Sequence, residues 1–295
     1  RAEAGKRDYL SYQRVRVLGR GAYGAAVLLR ERRTGDTVVC KELSLQALDA
    51  PRLEVVENEV RILASLRHPH IIEYRCSFAL REKQLLCVVM EYAEGGTLAD
   101  VIWVHAQRAE PLSEAVVLRW LRQLSAALRH LHAGRTLHRD LKTQNVFLSL
   151  DQQIKLGDFG VSRVMSTDTL LADTVVGTPH YMAPEVIQRE AYREPADVWA
   201  LGVILYELVA LRRPFDETNL GALVVSITTK APDVAPLAAS PHARELWELA
   251  TADALLQREP SRRPTLDDLS DRLEQIPQPC PHTSTAAGVE VPSVA

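Results

Sequence analysis

The glycine-rich segment Gly19-Arg20-Gly21-Ala22-Tyr23-Gly24 is the first stretch whose residue types point to chemistry. Glycines let backbone N–H groups approach phosphate closely. Taken alone, the segment could serve a dinucleotide or a nucleoside triphosphate. A dinucleotide fingerprint should open a helix, yet here Ala26-Val27-Leu28-Leu29, a turn at Thr34-Gly35-Asp36 and Val38-Val39-Cys40-Lys41 follow. That order reads as strand, turn, strand, which favours the triphosphate. Lys41 ends the second strand, and Glu59 falls on the next helix, facing the sheet. An ammonium that must stay fixed against phosphate oxygens benefits from a carboxylate that holds it. Either residue alone is more often a solvated surface charge. The pair gains meaning from what lies downstream: Leu137-His138-Arg139-Asp140-Leu141-Lys142-Thr143-Gln144-Asn145, and then Asp158-Phe159-Gly160.

These side chains need elements to position them. From Tyr12 to Met90 the pattern is short and β-rich, as in Val15-Arg16-Val17-Leu18. It is interrupted by one helix over Pro51–Leu66, whose Leu53, Val56, Val60 and Leu63 share a face. After Gly95-Gly96 helical patterns take over, at Ala115–His132 closing on Gly134, Val198–Leu211, Ala243–Leu256, and Leu266–Leu273 with Thr265 as N-cap. Val146-Phe147-Leu148 and Ile154-Lys155-Leu156 read as small strands beside the polar cluster. After Ile276 the Pro- and Ser/Thr-rich run reads as a disordered tail or linker.

Composition narrows the class. The 295 residues suit one large domain or two lobes sharing a cleft, and 46% hydrophobic with 25% charged residues fits an ordinary globular protein. A net charge of -3 gives no global basic field, which argues against nucleic acid as a partner. Cys40, Cys76, Cys87 and Cys280 are scattered, without metal-site pairing, and fit a reducing compartment. The charged start, Arg1 to Tyr9, lacks an apolar signal core. The apolar run Val198 to Leu211 is too short to span a bilayer and carries Glu207, so no membrane role is expected.

In order and spacing the whole set resembles the protein kinases over Tyr12 to Ile276. More narrowly it resembles the NIMA-related (never-in-mitosis-A-related) serine/threonine kinases. That likeness rests on Lys142-Thr143-Gln144-Asn145-Val146-Phe147-Leu148, Ile154-Lys155-Leu156-Gly157-Asp158-Phe159-Gly160-Val161-Ser162 and Thr174-Val175-Val176-Gly177-Thr178-Pro179. Thr143 discriminates most, because most kinases carry proline there. The resemblance implies an α+β, bilobal fold: an extension (1–11), a kinase domain (12–276) with a mainly β N-lobe (12–90) and a mainly α C-lobe (91–276), and a tail (277–295).

It also implies roles. Asp140 would orient or deprotonate the attacking hydroxyl, and Lys142 would offset charge on the moving phosphoryl. Asn145 and Asp158 would offer hard oxygens to Mg²⁺ or Mn²⁺. ATP, the co-substrate, would be held by Leu18, Gly19, Arg20, Gly21, Ala22, Tyr23, Gly24, Ala26, Val39, Lys41 and Phe147. Glu91, Tyr92 and Ala93 would form the hinge, with Met90 as gatekeeper. Leu63, Tyr74, His138 and Phe159 would stack as a spine, His138 being structural and not a base. Asp197 would bind the catalytic-loop backbone, and Glu185 would pair with Arg263. Ala26 and Val39 depart from the usual Val and Ala, which reads as a volume-conserving exchange over adenine.

The segment Asp158 to Glu185 is expected to be the activation loop. Arg139 beside Asp140 points to control by a loop phosphate, with Thr174 as the main site, through a transient dimer that autophosphorylates in trans, and Ser166, Thr167 and Thr169 as lesser ones. Thr178 would bridge Asp140 and Lys142. Gln144 and Val161 point to Ser/Thr protein substrates with a hydrophobic upstream residue and ready use of threonine. By kinship the place of action is the cytoplasm, at centrosome, cytoskeleton or cilium. The alternative is a pseudokinase scaffold, which loss of Lys41, Asp140, Asn145 or Asp158 would favour; all four are present.

Overall fold

The computed structural model describes residues 9–21, 24–46, 50–158, 179–242, 244–251 and 253–276. The chain divides into two compact units: residues up to Ala93 together with Asp158, and residues from Glu94 to Gly157 with those of the later helices. The β-rich unit ends at Ala93 and not at Met90, because Glu91 is still the last residue of its strand, opposite Val38, and its N–H donates to the Glu73 carbonyl at 2.8 Å.

The first unit is a five-stranded antiparallel sheet of β1 (Tyr12–Gly21), β2 (Gly24–Glu31), β3 (Thr37–Ser44), β4 (Tyr74–Leu80) and β5 (Leu85–Glu91), in the order β1-β2-β3-β5-β4. Helix α1 (Ala50–Ser65) lies between β3 and β4 in sequence. Strand alternation separates two faces. Val27, Leu29, Val38, Cys40, Phe78, Cys87 and Val89 form the core on one. The register puts Ala26, Val39, Lys41, Val88 and Met90 on the other, since Lys41 stands opposite Ala26 and Val88 while Val39 stands opposite Leu28 and Met90. Ala26 and Val39 are thus diagonal neighbours on the face that carries Lys41.

The second unit is mainly helical: α2 (Leu98–Arg108), α3 (Glu114–Ala133), the hairpin β6 (Val146–Leu148) and β7 (Ile154–Leu156), then α4 (Pro184–Ile187), α5 (Glu194–Ala210), α6 (Leu220–Thr229), α7 (Ala235–Ala238), α8 (Arg244–Glu248) and α9 (Leu266–Gln275). Nearly every residue of α5 is buried, so it is the axis on which this unit is built. The expected helix over Ala243–Leu256 stops at Glu248. There the Thr251 hydroxyl donates to the Glu248 carbonyl at 2.7 Å, offering the backbone a turn in place of the next helical bond. The short helices α4 and α7 were not expected, and neither were the two longer ones, α2 and α6. The longer two carry start signals: a capping box joins Thr97 and Asp100, and Asn219 accepts from Ala222 N–H. No helix among the described residues is long and apolar enough to cross a membrane.

Candidate active site

The catalytic-loop residues are held from beneath by Asp197 of α5. Its carboxylate is fully buried and accepts from the N–H of His138 (3.0 Å) and of Arg139 (3.2 Å), from Tyr192 Oη (2.6 Å) and from His132 Nε2 (2.8 Å). Burial alone would push this carboxyl up, but the donors outweigh it and hold it below the ordinary aspartate value. Those bonds sustain a strained turn: Arg139 has φ +66°, a left-handed conformation that residues with a side chain seldom adopt. His138 is also fully buried. It accepts from Asp140 N–H at Nδ1 (3.3 Å), so Nε2 carries the proton and donates to the Gly157 carbonyl at 3.0 Å. Such an imidazole fastens the loop and has no nitrogen left for a substrate.

Above this anchor three side chains converge. Lys142 Nζ donates to Asp140 Oδ2 at 2.9 Å, and Asn145 Nδ2 donates to the same oxygen at 2.8 Å and to the Asp140 carbonyl at 2.7 Å. The Asp140 side chain keeps 43% of its surface exposed, so a carboxylate fixed on one oxygen presents the other to an incoming group. Asn145 uses its nitrogen in both bonds, and neither involves its amide oxygen. Phe147 lies on β6, where it bridges Thr97.

The β-rich unit holds the remaining positions. Gly24, with φ +155°, packs so tightly that a Cβ there would sit 1.8 Å from the Glu42 carbonyl oxygen. Gly19 and Gly21 differ: a Cβ at either meets nothing within 4 Å. Packing therefore explains the last glycine of the segment and leaves the first two open for a ligand's approach. Leu18 and Arg20 lie with them on β1, and Ala22 and Tyr23 fall outside the described residues. Met90 and Glu91 close β5, followed by Tyr92 and Ala93. Because the Glu91 N–H is already taken by Glu73, hinge N–H donors would have to come from Tyr92 or Ala93.

Lys41 has a different carboxylate from the one expected. Its Nζ pairs with Asp158, while Glu59 stands on α1. Asp158 has φ +60°, a left-handed turn from which its carboxylate reaches the ammonium, and opposite charges half shielded from water attract. Both side chains, 21% and 32% exposed, line a small cavity with Leu63, Tyr74, Val88 and Met90. Leu63 and Tyr74 of the expected spine thus meet there. Phe159, and the loop residues Ser166, Thr167, Thr169, Thr174 and Thr178, lie outside the described residues.

Residues 12–273 match the protein kinase domain model. The chain belongs to the protein kinases. Within them it joins the NIMA-related (Nek) branch, with the α+β bilobal class of that fold. It is 36% identical over 262 residues to the mouse serine/threonine-protein kinase Nek1 (88% of this chain, 21% of Nek1). It is 40% identical over 259 residues to zebrafish Nek8 (88% and 36%), and 43% identical over 209 residues to human Nek2 (69% and 47%). The chain spans between about a fifth and about a half of the length of these relatives. Protein kinases use ATP and a divalent metal.

Two features of this kinase domain escaped the sequence. Nothing in their spacing marks His132 or Tyr192 as partners of Asp197, since each is an ordinary polar residue at the edge of an apolar pattern. The buried contact between Thr143 and Tyr181, at 2.8 Å, was equally silent, although Thr143 itself had stood out.

Proposed function

We propose that this kinase domain transfers the γ-phosphoryl group of ATP to Ser or Thr hydroxyls of protein substrates. The reading rests on one observation above all: Asp140 is pinned by Lys142 and Asn145 on a loop whose backbone N–H groups are locked to a buried Asp197. A carboxylate so placed orients the attacking hydroxyl and takes its proton as the bond to phosphorus forms. Lys142 offsets charge on the phosphoryl group in flight, and Lys41 steadies the phosphates it leaves. Asn145 and Asp158 would hold Mg²⁺ or Mn²⁺; such a cation supplies neutralisation of the phosphate oxygens.

Further parts of the reading follow from the family. Residues 12–276 would act as the catalytic domain, with Glu59 exchanging with Asp158 as the partner of Lys41. Phosphorylation of Thr174, in trans between transiently paired copies, would switch activity on. The site of action would be the cytoplasm, at centrosome, cytoskeleton or cilium.

Radiolabel transfer from ATP to a generic protein substrate tests the core claim. Label should appear with the wild-type chain and fall to background in Asp158→Ala. Wild-type label at background would overturn the assignment and leave a scaffold.

A further inference from the structure

We infer that Thr143 is a positioning residue of this site: its buried hydroxyl ties the catalytic loop to Tyr181 and, through Tyr181, to Glu207 of α5. The inference rests on the phosphotransferase reading and adds to it an element that fixes the loop beyond Lys142, where Asp197 holds it at His138 and Arg139.

Three oxygens form the chain. Thr143 Oγ1 lies 2.8 Å from Tyr181 Oη, which lies 2.5 Å from Glu207 Oε2. All three residues are buried, at 2%, 8% and 6% exposure. Each hydroxyl has a single hydrogen, so the direction is determined. The phenol gives its hydrogen to the carboxylate, the shorter and charge-assisted bond. Thr143 then donates to the phenol oxygen and, lying beside the carboxylate as well, helps to hold Glu207 down. The far end is closed by Arg213, whose Nε reaches Glu207 Oε1 at 3.3 Å and whose side chain also approaches Asp216 at 3.6 Å.

The placement of the two ends gives the chain its meaning. Thr143 follows Lys142 directly and opens the 3-10 turn that delivers Asn145. Tyr181 closes the 3-10 turn Pro179–Tyr181, just ahead of α4. One hydroxyl therefore connects the stretch bearing Asp140, Lys142 and Asn145 to the closing part of the Asp158–Glu185 segment. A proline or valine at 143 would fill similar space and donate nothing. Tyr181 would then keep Glu207 and lose the loop.

The test is steady-state kinetics on the full chain. Thr143→Val and Tyr181→Phe should each lower kcat by about 3- to 10-fold, the span of one buried hydrogen bond. KM for ATP should stay within about twofold, since positioning acts on the transition state and not on nucleotide binding. Thr143→Ser should restore kcat, and the double variant should be no worse than Tyr181→Phe alone. Amide hydrogen exchange over 142–145 should quicken in both single variants. Wild-type kcat in Thr143→Val, a Ser variant as poor as Val, or multiplying effects in the double variant would overturn the inference. If Thr143→Val folds poorly, Tyr181→Phe decides, because it removes only an oxygen. An inactive wild-type chain would sink the phosphotransferase reading, and the exchange measurement would still show whether the hydroxyl holds the loop.

Discussion

Asp197 and Glu207 stand near opposite ends of α5, and both are buried, yet their carboxyls shift in opposite directions. For Asp197, burial pushes up but donors from His132, His138 and Tyr192 prevail, and the carboxyl is lowered. For Glu207, burial is the largest influence and prevails over Tyr181, Arg213 and Thr143, so the carboxyl is raised. The helix itself adds to the contrast, because its N-terminal end favours an anion and its C-terminal end disfavours one. One helix thus carries a permanent anion under the catalytic loop and, three turns on, a carboxylate held only lightly in its charged form. The number of donors, not burial, decides which is which.

The contrast is tested most severely at its strong end. Asp197→Ala leaves two backbone N–H groups, a phenol and an imidazole without their acceptor, at about 1–3 kcal/mol for each orphaned donor. Stability should fall by about 3 kcal/mol or more in urea melts, and kcat by about 100-fold or more as the loop loses its geometry. An Asp197→Ala chain as stable as wild type would show that Asp197 does not anchor the loop.

Asp197→Asn sharpens the same point through pH. A carboxyl whose folded value is depressed contributes stability that is complete above its unfolded value, and that contribution disappears as pH falls through the folded value. The gap in melting temperature between wild type and Asp197→Asn should therefore be widest above about pH 4, the ordinary aspartate value, and narrow on further acidification. A gap that does not change with pH would mean the carboxylate's charge is not what the donors bind.

Why such a device hides from a reader of the sequence is instructive. Asp140, Lys142 and Asn145 were legible because chemistry, loop and spacing lie in one short run. Lys41 was legible because strand alternation placed it. Its partner was not: Asp158 is remote in the chain and reaches Lys41 from a left-handed turn that no local pattern marks. Helix α3 declared itself by a long apolar face and by Gly134, at which it ends. The stretch after Glu248 kept buried leucines at helical spacing and misled, because one Thr251 hydroxyl redirected the backbone. Convergence of Tyr192 and His132 on Asp197 is a property of the packed state alone, and no local pattern encodes it.

Glu207→Gln probes the weak end and should have the smallest effect. A carboxyl whose folded value is raised contributes stability that is complete below its unfolded value and lost as pH rises through the folded value. Wild type should thus lose ground to Glu207→Gln as pH climbs from about 4, the ordinary glutamate value. The groups facing Glu207 allow this. The amide oxygen can still accept from Tyr181, and the ion pair surrendered, with Arg213 at 3.3 Å, is 30% exposed on the arginine side and already shared with Asp216. His180, beside Arg213, is kept below its usual value by burial and adds no charge near neutrality. Near neutral pH the two chains should agree within about 1 kcal/mol, the net worth of one such pair. A loss of about 3 kcal/mol at pH 7 would place Glu207 with Asp197 as a second permanent anion and erase the contrast between the two ends of α5.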